Sequence, residues 1–103
     1  MNFLHGIGHW AISIAAERGG EIIAGVVYDP IKDELFWAEK GLGAYMNNKR
    51  LRVSARSDLI DCVIATGIPF AASPKSDFLP QLQTIMPKVS GVRRFGAAAL
   101  DMA

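Results

Sequence analysis

A single cysteine, Cys62, occurs in the 103 residues, so no internal disulfide can form. A lone thiol fits a reducing cytosol. Long apolar runs are missing as well: none approaches the roughly 18 residues that a membrane span needs. Residues 1–6 carry neither a basic region nor a long apolar stretch and do not read as a signal peptide. An excess of one charge is also lacking. Eleven basic and ten acidic residues leave a net charge of +1, which points to neither nucleic acid nor an anionic membrane. No phosphate-binding glycine loop is present. Lys40-Gly41-Leu42-Gly43 lacks the long glycine spacing and the Lys-Ser/Thr pair, and it falls between strands. Internal repeats, low-complexity segments and a readable Ser/His/Asp or Cys/His arrangement are absent too.

What is present is apolar. Half of the residues are hydrophobic and the mean hydropathy is slightly positive. A small domain leaves much of its surface wet, so this richness predicts either a dense core or apolar surface that expects a partner.

The pattern along the chain predicts α+β architecture. Residues 10–16 read as a strand, with Trp10, Ile12 and Ile14 facing one way and Ala11, Ser13 and Ala15 the other. Gly19-Gly20 suits a tight hairpin. Residues 21–28 form the return strand, whose near-continuous apolar character predicts burial on both faces. Residues 34–38, 44–46 and 51–53 complete an antiparallel meander with short connections. From residue 54 the character changes. A polar connector leads to a strand at 62–66, which holds Cys62 as a small hydrophobe. A Pro74-containing loop spans 70–76. A helix at 77–86 follows, its stripe made of Phe78, Leu79, Leu82, Ile85 and Met86, with Pro80 in the first turn. Residues 89–95 are extended, and 96–103 are helical in composition. Two parts are expected: an antiparallel sheet over 1–53 and the start of a second α/β half over 60–103. The last helix is short and uncapped, and a strand begins a few residues from the N-terminus. Both ends read as cuts through a longer fold.

Few constellations carry chemistry. His5 and His9 are spaced to share a metal on a helix, but Gly6 and Gly8 intervene and a strand follows, so a turn is the better reading. Asp29, Asp33 and Glu34 cluster around Pro30, where aspartates cap turns. Lys49, Arg50 and Arg52 read as a solvated hairpin face. Arg93-Arg94-Phe95-Gly96-Ala97-Ala98 reads as a strand-to-helix turn, where free N–H groups favour an anion or a hydroxyl.

These segments, in this order, resemble the inositol monophosphatase-like family. Asn2-Phe3-Leu4-His5-Gly6 with the strand at 11–15 resembles the stretch that follows that family's Asp-Pro-Leu/Ile-Asp-Gly-Thr/Ser-Thr-Asn-Phe metal motif. Val26-Val27-Tyr28-Asp29-Pro30 with Asp33-Glu34-Leu35-Phe36 resembles its next hairpin. Lys40-Gly41-Leu42-Gly43-Ala44 and Asn47-Asn48-Lys49-Arg50-Leu51-Arg52-Val53 resemble its Gly-x-Gly-Ala and Asn-Gly-x-x-Leu-x-Val turns. Ala65-Thr66-Gly67-Ile68-Pro69-Phe70 resembles the strand opening its second half. Residues 93–101 resemble its Arg-x-x-Gly-Ser/Thr-Ala-Ala-Leu segment. The match is collinear over essentially the whole chain.

The resemblance implies part of the layered α/β sandwich of the sugar phosphatase superfamily, a homodimer in the cytoplasm, and Mg²⁺-dependent hydrolysis of inositol 1-phosphate or a related sugar phosphate. It implies substrate contact at Gly96, Ala97 and Ala98. Ala97 stands where the family has Ser or Thr, which removes a hydroxyl. By the same resemblance the first carboxylate pair precedes Met1, the Glu-Glu motif lies further upstream, and the Trp-Asp motif lies beyond Ala103. The chain is therefore expected to contain no metal ligand and no catalytic residue, and to be inactive by itself. A non-catalytic interaction or dimerisation module built on the same sheet is the alternative. Phosphatases of fructose bisphosphate, histidinol phosphate or nucleotides are further relatives.

Overall fold

The computed structural model describes residues 1–68 and 77–103. The expected loop at 70–76, with Pro69, lies outside the described residues. The architecture is α+β, opened by an antiparallel meander. Five strands lie in sequence order: β1 (Ile12–Arg18), β2 (Glu21–Asp29), β3 (Glu34–Glu39), β4 (Gly43–Met46) and β5 (Lys49–Arg50). Gly19 and Gly20 take φ of 62° and 82° in the β1–β2 turn, a hairpin twist that glycine adopts without strain. Arg18 pairs with Glu21 beside that turn, and the register shifts between Ala16 and Glu17.

Two compact units divide the chain: Met1–Val53 with Gly96–Ala103, and Ser54–Phe95. In the second unit, β6 (Val63–Ala65) pairs in parallel with β7 (Gly91–Arg93). A parallel pair needs a crossover. Here it contains α1 (Phe78–Ile85) and a 3₁₀ turn, Met86–Lys88. Pro80 sits in the first turn of α1 as expected, and Thr84 donates its hydroxyl to the Pro80 carbonyl at 2.8 Å. A short helix, α2 (Ala98–Asp101), ends the chain and packs on β2 within the first unit.

The structure modifies several expectations. The fifth strand forms at Lys49–Arg50 rather than at 51–53: Leu51 N–H still reaches Ala44 O at 2.8 Å, but Val53, 97% exposed, has left the sheet. β2 is paired on both sides, but its residues 23–28 are only half-buried and Ile22 is exposed. Its edges are paired while its faces are not fully covered. Along α1 the predicted stripe splits: Phe78, Leu82 and Ile85 are half-buried, whereas Leu79 and Met86 face solvent. Cys62 is half-buried just ahead of β6, its thiol on the Asp58 carbonyl. Among the described residues Val89 is the one buried apolar side chain. Ile12 and Ile14 of β1 are 46% and 61% exposed. The apolar richness therefore lies at the surface and not in a dense core.

Candidate functional site

The segment 96–98 begins α2. Gly96 has φ 86°, a left-handed value that glycine tolerates and side-chain-bearing residues resist. It turns the chain into α2, where Leu100 and Asp101 donate to Ala97 O at 2.9 and 3.2 Å, and Met102 to Ala98 O at 3.2 Å. The N–H groups of Ala98 and Ala99 then lack intrahelical acceptors, as at any helix start. Asp101 follows Ala98 by three residues, on the same helix face. Its Oδ1 is buried and has no hydrogen-bond partner among the described residues.

Opposite Gly96 lies the start of the chain. A 3₁₀ turn, Phe3–His5, is closed by Gly6 at φ 67°. The Asn2 carbonyl accepts from His5 N at 3.1 Å and Ile7 N at 3.0 Å. Its side-chain Nδ2 donates to His9 O at 2.7 Å. Phe3 meets Trp10 edge-on, ring centroids 5.0 Å apart. A Cβ placed on Gly96 would lie 3.1 Å from Asn2 Nδ2 and 3.2 Å from Oδ1. The Asn2 amide thus presents its N/O end to the space that any larger residue at 96 would need.

Asn2 was not among the residues singled out from sequence. Nothing in the linear pattern joins it to Gly96, and its side chain makes no capping bond to the 3₁₀ turn that follows. His5 is exposed and His9 half-buried, with the 3₁₀ turn and two glycines around them. The turn reading of that pair is what the structure shows.

The acidic cluster also resolves into a turn. Asp29 is fully buried. Its Oδ1 accepts from Ile31 N at 2.9 Å and Lys32 N at 3.2 Å, and Lys32 Nζ lies 3.6 Å from Oδ2. Loss of water pushes the carboxyl upward, but the two backbone N–H groups and the Lys32 ammonium outweigh it and hold the pKa below the ordinary value. Asp33 takes φ 55° and accepts the Tyr28 hydroxyl at 2.7 Å. That hydrogen bond, with some desolvation and the nearby carboxylates, raises the Tyr28 pKa. Glu34 lies 3.9 Å from Lys32. Every carboxylate of the cluster is engaged in holding the β2–β3 turn.

Among the basic residues, Lys40 pairs with Glu21 across the sheet. The Arg50 guanidinium lies over Gly43, where a Cβ would meet it at 3.1 Å. Arg93 folds back onto the Val92 carbonyl. Among the described residues no group of three or more His, Cys, Asp or Glu side chains is arranged to hold a metal ion. The described residues do not by themselves fit Mg²⁺. A groove of about 630 Å³ lies in the second unit along α1, β6 and β7. Ile64, Phe78, Leu82, Ile85 and Val92 dominate its lining, which includes none of residues 96–98. Its polar lining is Thr66, Asp77, Gln81 and Thr84, with no cationic side chain among these described residues.

Residues 1–103 match the family model described as the inositol monophosphatase family. The inositol-1-monophosphatase of Caulobacter vibrioides is 54% identical over 99% of this chain and 41% of its own length. The Nus factor SuhB of Pseudomonas aeruginosa is 40% identical over 99% of this chain and 39% of its own length. The crystal structure of extragenic suppressor protein suhB from Bartonella henselae superposes with a TM-score of 0.92 at 57% identity, covering 98% of this chain and 39% of that one. The chain thus spans about two-fifths of the length of the relatives it matches.

Proposed function

The chain belongs to the inositol monophosphatase family, and from that premise we propose that it is the central part of a Mg²⁺-dependent phosphomonoesterase acting on inositol 1-phosphate or a related sugar phosphate. The observation that carries this reading is the junction of segment 96–98 with the turn that starts at Asn2. By the family resemblance one side follows the metal motif and the other contacts the substrate's hydroxyls. Their meeting within one unit suits a site that must hold both.

In this reading the backbone N–H groups of segment 96–98 orient the sugar's hydroxyls. Ala97 contributes no hydroxyl, so recognition there rests on the main chain. Gly96 lets the backbone approach, since no side chain stands between it and a ligand. Bound Mg²⁺ would supply a polarised phosphate and an activated water. The ligands for it would come from the part of the relatives' length that this chain does not span. The isolated chain is then inactive, because it has no acidic cage to concentrate the metal. A cytoplasmic homodimer completes the proposal, supported by the lone half-buried Cys62 and by the apolar surface of the sheet.

The test is phosphate release from inositol 1-phosphate with Mg²⁺. The isolated chain is expected to match a mock preparation, and the complete product of the encoding gene to exceed it. Release by the isolated chain overturns the proposed division of labour. No release by the complete product overturns the assignment of activity.

A second reading is a non-catalytic interaction module. It is favoured by exposed apolar side chains such as Leu4 and Val53, and by the relatives that carry the name Nus factor SuhB. Light scattering and the phosphate-release assay together separate the two readings. A discrete, concentration-dependent dimer from a complete product that releases no phosphate favours the module, and phosphate release favours the enzyme part.

A further inference from the structure

We infer that Asn2 is a positioning residue for segment 96–98, an inference that rests on the substrate-contacting role proposed for that segment. Three observations combine. First, the Asn2 side chain is fixed at its own end of the contact: Nδ2 donates to His9 O at 2.7 Å, while the Asn2 carbonyl takes two N–H groups of the same turn. A side chain tied in this way behaves as a wall and not as a mobile arm. Second, Gly96 backs onto that wall. A Cβ there would meet Nδ2, Oδ1 and Cγ at 3.1, 3.2 and 3.5 Å. Third, Gly96 is the left-handed pivot through which the chain enters α2. Its place sets the direction of the N–H groups of Ala97 and Ala98.

A shift of Asn2 therefore becomes a shift of the donors, without Asn2 touching a ligand. The amide also matters chemically. Its Nδ2 donates to His9 O, and its N/O end, both atoms nearer than Cγ, meets Gly96. Asn2→Asp keeps that shape and loses the donor, whereas Asn2→Ala removes the wall.

The experiment uses the ¹⁵N-labelled 103-residue chain. Backbone amide signals of Ala97 and Ala98 are followed in wild type, N2A and N2D, with the Trp37 indole N–H as a reporter of the intact sheet. The expected result is that N2A moves the Ala97 and Ala98 signals while the Trp37 indole stays in place. N2D should restore most of the wild-type position. Titration with myo-inositol then reads the consequence: signals that shift in wild type should need several-fold more ligand in N2A. Unmoved Ala97 and Ala98 signals in N2A, with Ile7 and His9 shifted, overturn the inference. If N2A collapses the Trp37 signal, N2D decides: wild-type positions for Ala97 and Ala98 support the wall, and displaced ones refute it. Failure of myo-inositol to move any signal in wild type refutes the substrate-contact role instead. The spectral link between Asn2 and Ala97–Ala98 is judged separately.

Discussion

Asn47 offers the sharpest test of how the sheet is held. It follows β4 with φ 50°, in the left-handed region that asparagine tolerates better than most residues. Its N–H donates to Leu35 O at 2.7 Å. Its Oδ1 accepts from Leu35 N at 2.9 Å, and its Nδ2 donates to Asp33 O at 3.3 Å. Its carbonyl takes the Trp37 indole N–H at 3.0 Å. One residue thereby ties the β4–β5 turn to the start of β3 and to the β2–β3 turn. Asn47→Ala keeps the backbone bonds but strains the conformation, at about 1 kcal/mol. It also removes two side-chain hydrogen bonds of about 0.5 kcal/mol each, the low end of the range because the site is exposed. The sum is about 2 kcal/mol, or roughly a 1 M fall in urea midpoint for a chain of this size. Asn47→Gly relieves the strain and loses only the amide, so about 1 kcal/mol is expected. Asn47→Asp keeps the bond from Leu35 N and should fall between wild type and N47G. Urea unfolding followed by tryptophan fluorescence gives the order. Equal midpoints for N47A and N47G would refute the strain argument, and wild-type midpoints for both would refute the bridging argument.

Four further outcomes are expected. Asp29 titrates below the ordinary 3.8, so its contribution to stability is complete above that value and is lost as pH falls through its folded pKa. Asn at position 29 should flatten this acid limb in a pH series of thermal melts. Tyr28 titrates above 10.0 because of its bond to Asp33. Its contribution is complete below 10.0 and is lost as pH rises through the folded value, and Tyr28→Phe should abolish that alkaline loss in the same series. Tyr45 stacks on Trp37 with centroids 4.4 Å apart and planes 11° from parallel. Tyr45→Ala should cost about 2 kcal/mol in urea unfolding, whereas Tyr45→Phe should be nearly neutral because the hydroxyl reaches Leu42 O only at 3.4 Å. Gly96→Ala should destabilise the chain by more than 1 kcal/mol, roughly the left-handed cost alone, and part of that loss should be recovered in the Asn2→Ala background, as a double-mutant cycle would show.

Period-two alternation and glycine punctuation made the meander legible: β2, β3 and β4 lie within a residue of their expected bounds. Their signals are local, since Gly19-Gly20 and Asn47-Asn48 carry the turn chemistry in the sequence itself. β5 was misplaced because Leu51-Arg52-Val53 has strand propensity, but pairing stops at Tyr45 and Arg50 and the chain leaves the sheet after Leu51 bonds Ala44. Propensity cannot see where a chain turns away from its neighbour. Burial was the least legible property. Ile12, Ile14 and Ile22 follow strand patterns that imply a covered face, yet each is exposed, because cover depends on what packs above the sheet. At the site, Gly96, Ala97 and Ala98 stood out by resemblance and by the glycine before a helix. The contribution of Asn2 did not, because a contact between residues 2 and 96 exists only after the chain has folded.

The sequential order of β1 to β5 also has a temporal side. Each strand pairs with the one made just before it, so the sheet can assemble while the chain is still being synthesised, with only short loops to close. Segment 96–103 joins the same unit only after the intervening residues 54–95 have been made. Closing a loop of that length costs more entropy than any hairpin in the meander. The sheet can thus be complete before the contact between Asn2 and Gly96 forms.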